Sequence, residues 1–268
     1  RSSGGTCRRH DRQLVEAMEG RGGRGRIRGD RVPCTSVVAM GSTEPRGIVA
    51  VTSRRPGGNQ QIPRPEVWTE HHEPPWPSDS SWTVERLVDP VPEHSAPLLP
   101  SFPEARVSAV LVALVEGEDG AEVLLTRRSM QMRNHRGEIS FPGGRLDPGE
   151  TPIETALREA HEEVGLDPDV PSVVGELDHL NTIVSRSYIV PIVSVLEERP
   201  ELHPRTGEVD RVFWTPIREL TRPGTYRMER WGSPPMDRPL HFFELDDETV
   251  WGATAHMLVE LLTYSSRH

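Results

Sequence analysis

Three glutamates fall within five positions in the stretch REAHEEVG, residues 158–165, and a glycine follows directly. On a helix, at 100° per residue, Glu159, Glu162 and Glu163 share an arc of about 100° on one flank. In a last helical turn they face the negative end of the macrodipole, and each like-charge pair costs roughly 0.2–0.5 kcal/mol. Arg158 offsets only part of this, from the side of the arc away from the core. A divalent cation reverses the sign, since Mg2+ prefers carboxylate oxygens and completes its shell with water and substrate phosphates. The other reading is a solvated acidic face, and acid spacing alone does not separate the two.

The helix that must carry these acids is legible. Thr151 suits the N-cap, Pro152 the first helical position, and Glu154 completes a capping box; Gly165 is the expected stop. Ile153, Ala156, Leu157, Ala160 and Val164 form the apolar face beside the acids. Upstream, FPGGRLDPGE is a glycine-rich turn that brings bare backbone to the acid flank, where a carbonyl can join a metal shell.

From Gly144 to Leu166 the chain reads GRLDPGETPIETALREAHEEVGL, which fits G-x5-E-x7-R-E-U-x-E-E-x-G-U with U a bulky aliphatic, Ala160 alone being smaller than the pattern asks. This resembles the Nudix box. The resemblance implies an α/β fold, an α/β/α sandwich with a mixed β-sheet. It also implies hydrolysis of a nucleoside diphosphate linked to another moiety, with Mg2+ or Mn2+. By that similarity Glu159, Glu162 and Glu163 are metal ligands with the Gly144 carbonyl, and Glu150 pairs with Arg158 in a structural role. The general base is Glu159 or an acid from a later loop, for which Glu208 is the candidate; a solvated loop acid is the alternative for Glu208.

The residues before the box, LLTRRSMQMRNHRGEISFPGG from Leu124 to Gly144, resemble the signature of the coenzyme A pyrophosphatase branch, L-L-T-x-R-[SA]-x3-R-x3-G-x3-F-P-G-G. The implied reaction converts coenzyme A, with its acyl or oxidised forms, to 3',5'-ADP and 4'-phosphopantetheine. A substrate with a 3'-phosphate besides its diphosphate suits guanidinium groups at the entrance. Arg128 and Arg133 are the candidates, with Ser129 as a hydrogen-bond donor and His135 as a phosphate-orienting group. The alternative is that the arginines brace the loop against acids such as Glu138 and that His135 caps it. ADP-ribose, dinucleotides and a non-catalytic binding module are the rival readings.

The surrounding chain is consistent with one enzyme domain. Its 268 residues carry a net charge of -10, which argues against nucleic-acid binding through overall charge. Residues 1–60 are the exception, with 12 arginines against 5 acids, a local charge of +7. This Arg/Gly-rich segment is expected to be a disordered tail or sequence upstream of the true start, with Met40 the candidate initiator. It is also the one place where nucleic acid could bind. Residues 61–99 read as a proline-rich irregular approach with a short helix near Ser81–Leu87, and 100–264 as the catalytic domain. There VSAVLVALV, AEVLLTRR, SYIVPIVSVL, RVFWTPI and HFFEL read as strands, and helical spacing runs from Val250 to Leu261. The only cysteines are Cys7 and Cys34, and no apolar run spans a bilayer or forms a signal peptide, so the expected location is cytoplasmic.

Overall fold

The computed structural model describes residues 54–77, 81–97, 104–182 and 186–266. The sequence expectations for residues 1–53 lie outside them. In chain order the elements are β1 (Trp68–His71), α1 (Val84–Val88), β2 (Arg106–Gly117), β3 (Gly120–Arg128), β4 (Ile139–Ser140), β5 (Gly143–Arg145) and α2 (Pro152–Val164). There follow β6 (Ser172–Glu176), β7 (Leu180–Asn181), β8 (Ser187–Leu196), β9 (Val209–Pro216), α3 (Ile217–Thr221), β10 (Tyr226–Trp231), β11 (Arg238–Glu244), β12 (Thr249–Trp251) and α4 (Gly252–Tyr264).

The largest sheet runs β4–β3–β2–β8–β6, with β5 also on β2, β7 on β8 and β9 on β3. β2 and β8 are parallel over Arg106–Val115, whereas β3 pairs antiparallel with β2 and β9. The sheet is therefore mixed. Its central strands are apolar on both faces because both faces are covered. Leu111, Ala113 and Val115 point into a core with α2, while Val112 and Leu114 point into a second core with α1 and α4. Each such fully buried valine or leucine contributes roughly 1.5–3 kcal/mol relative to exposure. The result is the expected α/β/α sandwich.

Two features depart from the sequence reading. A second sheet, β1–β10–β11–β12, is antiparallel and draws its edge strand from the proline-rich approach, Trp68 pairing with Trp231 and His71 with Met228. Val250, expected at the start of the last helix, instead lies on β12 opposite Phe243, and the helix begins at Gly252. Pairing with β11 outcompetes one extra helical turn because it buries Val250 completely.

Residues 54–64, across the expected boundary between tail and approach, are bonded to this second sheet. Arg54 Nη2 donates to Glu244 at 3.0 Å and Arg64 Nε to Glu229 at 2.8 Å. Both acids also hold Arg227, which is 1 % exposed and whose Nε and Nη2 reach Glu244 at 2.9 and 2.8 Å. Removing one partner of such a buried set strands the other charge, so the set fixes the approach segment in place.

His241 on β11 is mostly buried, bonds Tyr226 Oη at 2.9 Å and lies beside His256. Burial, with the His256 charge adding, pushes the His241 pKa down to about 4. The unfolded chain therefore binds a proton between roughly pH 6.5 and 4 that the folded chain refuses, and stability falls as pH drops through that window. His241→Asn should flatten the dependence of melting temperature on pH between 6.5 and 4.5, measured by scanning calorimetry against the parent chain.

Candidate functional site

The clustered acids sit where α2 passes beneath the glycine turn. The helix starts as its sequence dictates: Thr151 caps it, Glu154 returns a bond to the Thr151 N–H at 2.8 Å, and Pro152 occupies the first turn. Ala156, Ala160 and Val164 are fully buried against the sheet. These small side chains let the helix approach closely, which brings its acid flank to β5. Gly165 ends the helix in the left-handed conformation at φ 82°, its N–H reaching the Ala160 and His161 carbonyls. Arg205 lies over Gly165, where a Cβ would come within 2.8 Å of its Nε. A cation thus stands at the negative end of the dipole and offsets part of the acid penalty.

The three glutamates occupy distinct surroundings. Glu163 is 6 % exposed and accepts the Gly143 N–H at 3.2 Å. Burial pushes its carboxyl up to about 7; the Gly143 bond and the Arg128 charge oppose this, and the Glu159 and Glu208 charges add to it. Glu159 lies directly over Gly144, where any side chain would collide with its carboxylate. Burial raises its pKa too, against Arg158 and with Glu162 and Glu208. Glu162 is the outermost, its side chain 53 % exposed.

Arg158 does more than its place on the helical wheel predicts. Its Nε and Nη2 grip Glu150 at 2.7 and 3.1 Å, Nη2 reaches the Arg145 carbonyl at 3.2 Å, and Nη1 meets Glu159 at 3.0 Å and Glu162 at 3.4 Å. The side chain swings back across the acid arc and so contacts two of the three acids. Glu150 is held down to about 2, first by Arg158 and then by the Asp147 N–H and the Thr155 hydroxyl. This pair ties the loop after β5 to the helix.

Among the described residues, no three acidic, histidine or cysteine side chains stand close enough to grip an ion as they are arranged. Arg158 engages Glu159 and Glu162, while Gly143 engages Glu163. The donor set nonetheless fits a hard cation: oxygen ligands only, two with proton affinity raised by burial, and bare backbone at Gly144 against Glu159.

The loop between β3 and β4 borders these acids. Arg128 Nη2 donates to Glu208 at 3.3 Å, not to Glu138, which is taken by His135 Nδ1 at 2.9 Å. That bond raises the His135 pKa. Glu208 is more than half exposed, and its charge acts on both Glu159 and Glu163. Arg133 is exposed and has no hydrogen bond or ion pair among the described residues. Ser129 is 2 % exposed; its hydroxyl accepts the Gln131 N–H at 3.3 Å and bonds Asp210. Ser129 therefore braces the loop from inside. Asp210, which accepts the Met130 N–H at 3.0 Å, had escaped sequence reasoning because no local pattern links it to this loop.

A family model for the NUDIX domain matches residues 105–235. Nudix hydrolase 3 of Caenorhabditis elegans is 34% identical over 195 residues, covering 65% of this chain and 79% of that protein. The chain belongs to the Nudix hydrolase family. Two further Nudix relatives match. Nudix hydrolase 15, mitochondrial, of Arabidopsis thaliana is 34% identical over 161 residues, 57% of this chain and 56% of that protein. A Photorhabdus laumondii protein named uncharacterized Nudix hydrolase NudL is 35% identical over 158 residues, 58% of this chain and 83% of that one. Among solved structures, a MutT/nudix family protein from Enterococcus faecalis aligns with TM-score 0.42 at 18% identity, over 61% of this chain and 63% of that one. Nudix hydrolases in general use divalent ions such as Mg2+ or Mn2+. No helix among the described residues is long and apolar enough to cross a membrane.

Losing the Glu150–Arg158 tie should loosen the Nudix loop before the rest of the domain. In Glu150→Gln, amides 145–150 should exchange with solvent faster than in the parent while those of β2 and β8 keep their protection; hydrogen-exchange mass spectrometry reads both.

Proposed function

We propose that this Nudix hydrolase cleaves the diphosphate of coenzyme A and its acyl or oxidised forms, releasing 3',5'-ADP and 4'-phosphopantetheine, in the cytoplasm. The observation that carries this reading is the β3–β4 loop. Its sequence resembles the coenzyme A branch throughout, it presents Arg128 to Glu208 beside the acids, and Arg133 of the same loop is exposed with no ion pair among the described residues.

Glu159, Glu162, Glu163 and the Gly144 carbonyl would hold Mg2+ or Mn2+, which neutralises charge on the diphosphate and activates water. The chain's own groups do the rest. Gly143 N–H orients the Glu163 carboxylate. Arg158, fixed by Glu150, keeps Glu159 over the bare Gly144 backbone. Glu208, exposed and bound by one long contact to Arg128, is free to accept a proton from the attacking water, and we assign it the general base. Arg128 and Arg133 supply the guanidinium contacts that a substrate with three phosphates needs. Ser129 and His135 shape the loop that presents them.

Coenzyme A incubated with Mn2+ should yield 3',5'-ADP and 4'-phosphopantetheine by chromatography, faster than ADP-ribose is split at equal concentration; the reverse order sinks the coenzyme A reading. Glu163→Gln should lower kcat by about 10²-fold or more, the scale of losing one preorganised charge-stabilising group, with little change in melting temperature. Glu208→Gln should lower kcat while leaving KM near the parent's value, and an unchanged kcat would remove Glu208 from the chemistry.

A further inference from the structure

The last residues of the Arg/Gly-rich segment, RRPGGNQ at 54–60, have no part in the mechanism above, yet they are built into the structure. Gly57 N–H donates to the Leu245 carbonyl at 2.9 Å and Gly58 N–H to the Thr249 hydroxyl at 3.0 Å, so the segment lies flat on the β11–β12 turn. This approach requires glycine at 58, since a Cβ there would come within 2.7 Å of the Glu248 Cα and collide with the Gln60 carboxamide oxygen. The side chain that this segment sends to the β3–β4 loop is Gln60, bonded through both ends of its carboxamide. Its Oε1 accepts the Thr249 N–H at 2.9 Å, and its Nε2 donates to Glu248 at 2.6 Å and to the Gly137 carbonyl at 3.1 Å.

Gly137 closes the β3–β4 loop, its N–H returning to the Arg128 carbonyl at 3.1 Å. The loop is thus pinned from outside at both ends, Met130 by Asp210 and Gly137 by Gln60. Glu248, the other partner of Gln60, is 2 % exposed and also accepts from Arg127 and Arg211, each at 3.0 Å. Those arginines face each other across β3 and β9 at the irregularity that sets Arg128 opposite Val209. One amide therefore connects the N-terminal segment to the end of the loop at Gly137 and, through Glu248, to the register that sets Arg128.

We propose that Gln60 is a positioning residue for substrate binding, holding the β3–β4 loop in the shape that presents its arginines. This rests on the reading that the loop contacts substrate. Gln60→Met keeps the volume and removes all three hydrogen bonds, so KM for coenzyme A should rise about 5- to 20-fold, the loss of one to two net hydrogen bonds, with kcat within about twofold. Amides 130–137 should exchange faster, and Gly58→Ala, which displaces the carboxamide without changing its chemistry, should reproduce both effects. In the double variant with Arg133→Ala, the rise in KM should fall short of the product of the single effects, as for residues acting through one loop. A lowered melting temperature with KM and loop exchange unchanged would make Gln60 a packing residue only and overturn the proposal. An Arg133→Ala effect on KM without any Gln60→Met effect would sink the inference and leave the substrate loop standing. Faster loop exchange in Gln60→Met with no KM change in either single variant would sink the substrate-loop reading, and the positioning role with it.

Discussion

The constraint around which the structure is organised is the burial of like charge. Glu159 and Glu163 are largely withdrawn from water, within each other's field and within that of Glu208. A carboxylate removed from water without full compensation gains a proton or a cation. The helix alone supplies only Arg158 to offset such a set. It persists because neighbouring parts each neutralise a fraction: Gly143 N–H at Glu163, Arg158 at Glu159 and Glu162, Arg205 at the helix end, Arg128 at Glu208. The acids are a liability of a few tenths of a kcal/mol per pair on an exposed helix, and in this fold they become a poised oxygen-rich site.

The sheet supplies the rigidity. β2 is buried on both faces and pairs with β3, β5 and β8, so the glycine turn on β5 and the helix beneath it share one strand as reference. Small residues on α2 close the gap between helix and sheet, and the bare Gly144 lets Glu159 lie on the backbone. The second sheet acts at longer range. Its turn at Glu248 reaches under β3 and β9, and its edge is completed by a strand and an arginine-rich segment from the N-terminal side. The approach segment is therefore part of the same packed body as the acid cluster.

Much of this was legible in the sequence where the causes are local. Capping box, stop glycine and apolar period specify α2, and alternating or continuous apolar runs specify β2, β3, β8, β9 and β11. The long-range pairings were not legible. WTEH at Trp68–His71 carries no strand signal of its own amid prolines, and becomes a strand because β10 offers an open edge. Val250 fits a helical period, yet the edge of β11 claims it. Arg158, at the far edge of the acid arc on a helical wheel, was expected to offset only part of the charge; the wheel records directions of Cα–Cβ bonds and does not show that its guanidinium grips Glu150 and reaches Glu159 and Glu162 together.

By itself the sequence determined the chemistry available: which carboxylates share a flank, which turn is bare of side chains, and which arginines lie next to them in the chain. Those follow from period, capping and composition, all properties of neighbours. Only the tertiary structure decided how each group is charged and aimed. Burial raises Glu163, partner choice gives Arg128 to Glu208 and Glu138 to His135, and a single carboxamide at Gln60 ties a distant segment to the loop. Desolvation and long-range hydrogen bonding depend on what the whole chain encloses, and no window of sequence contains that.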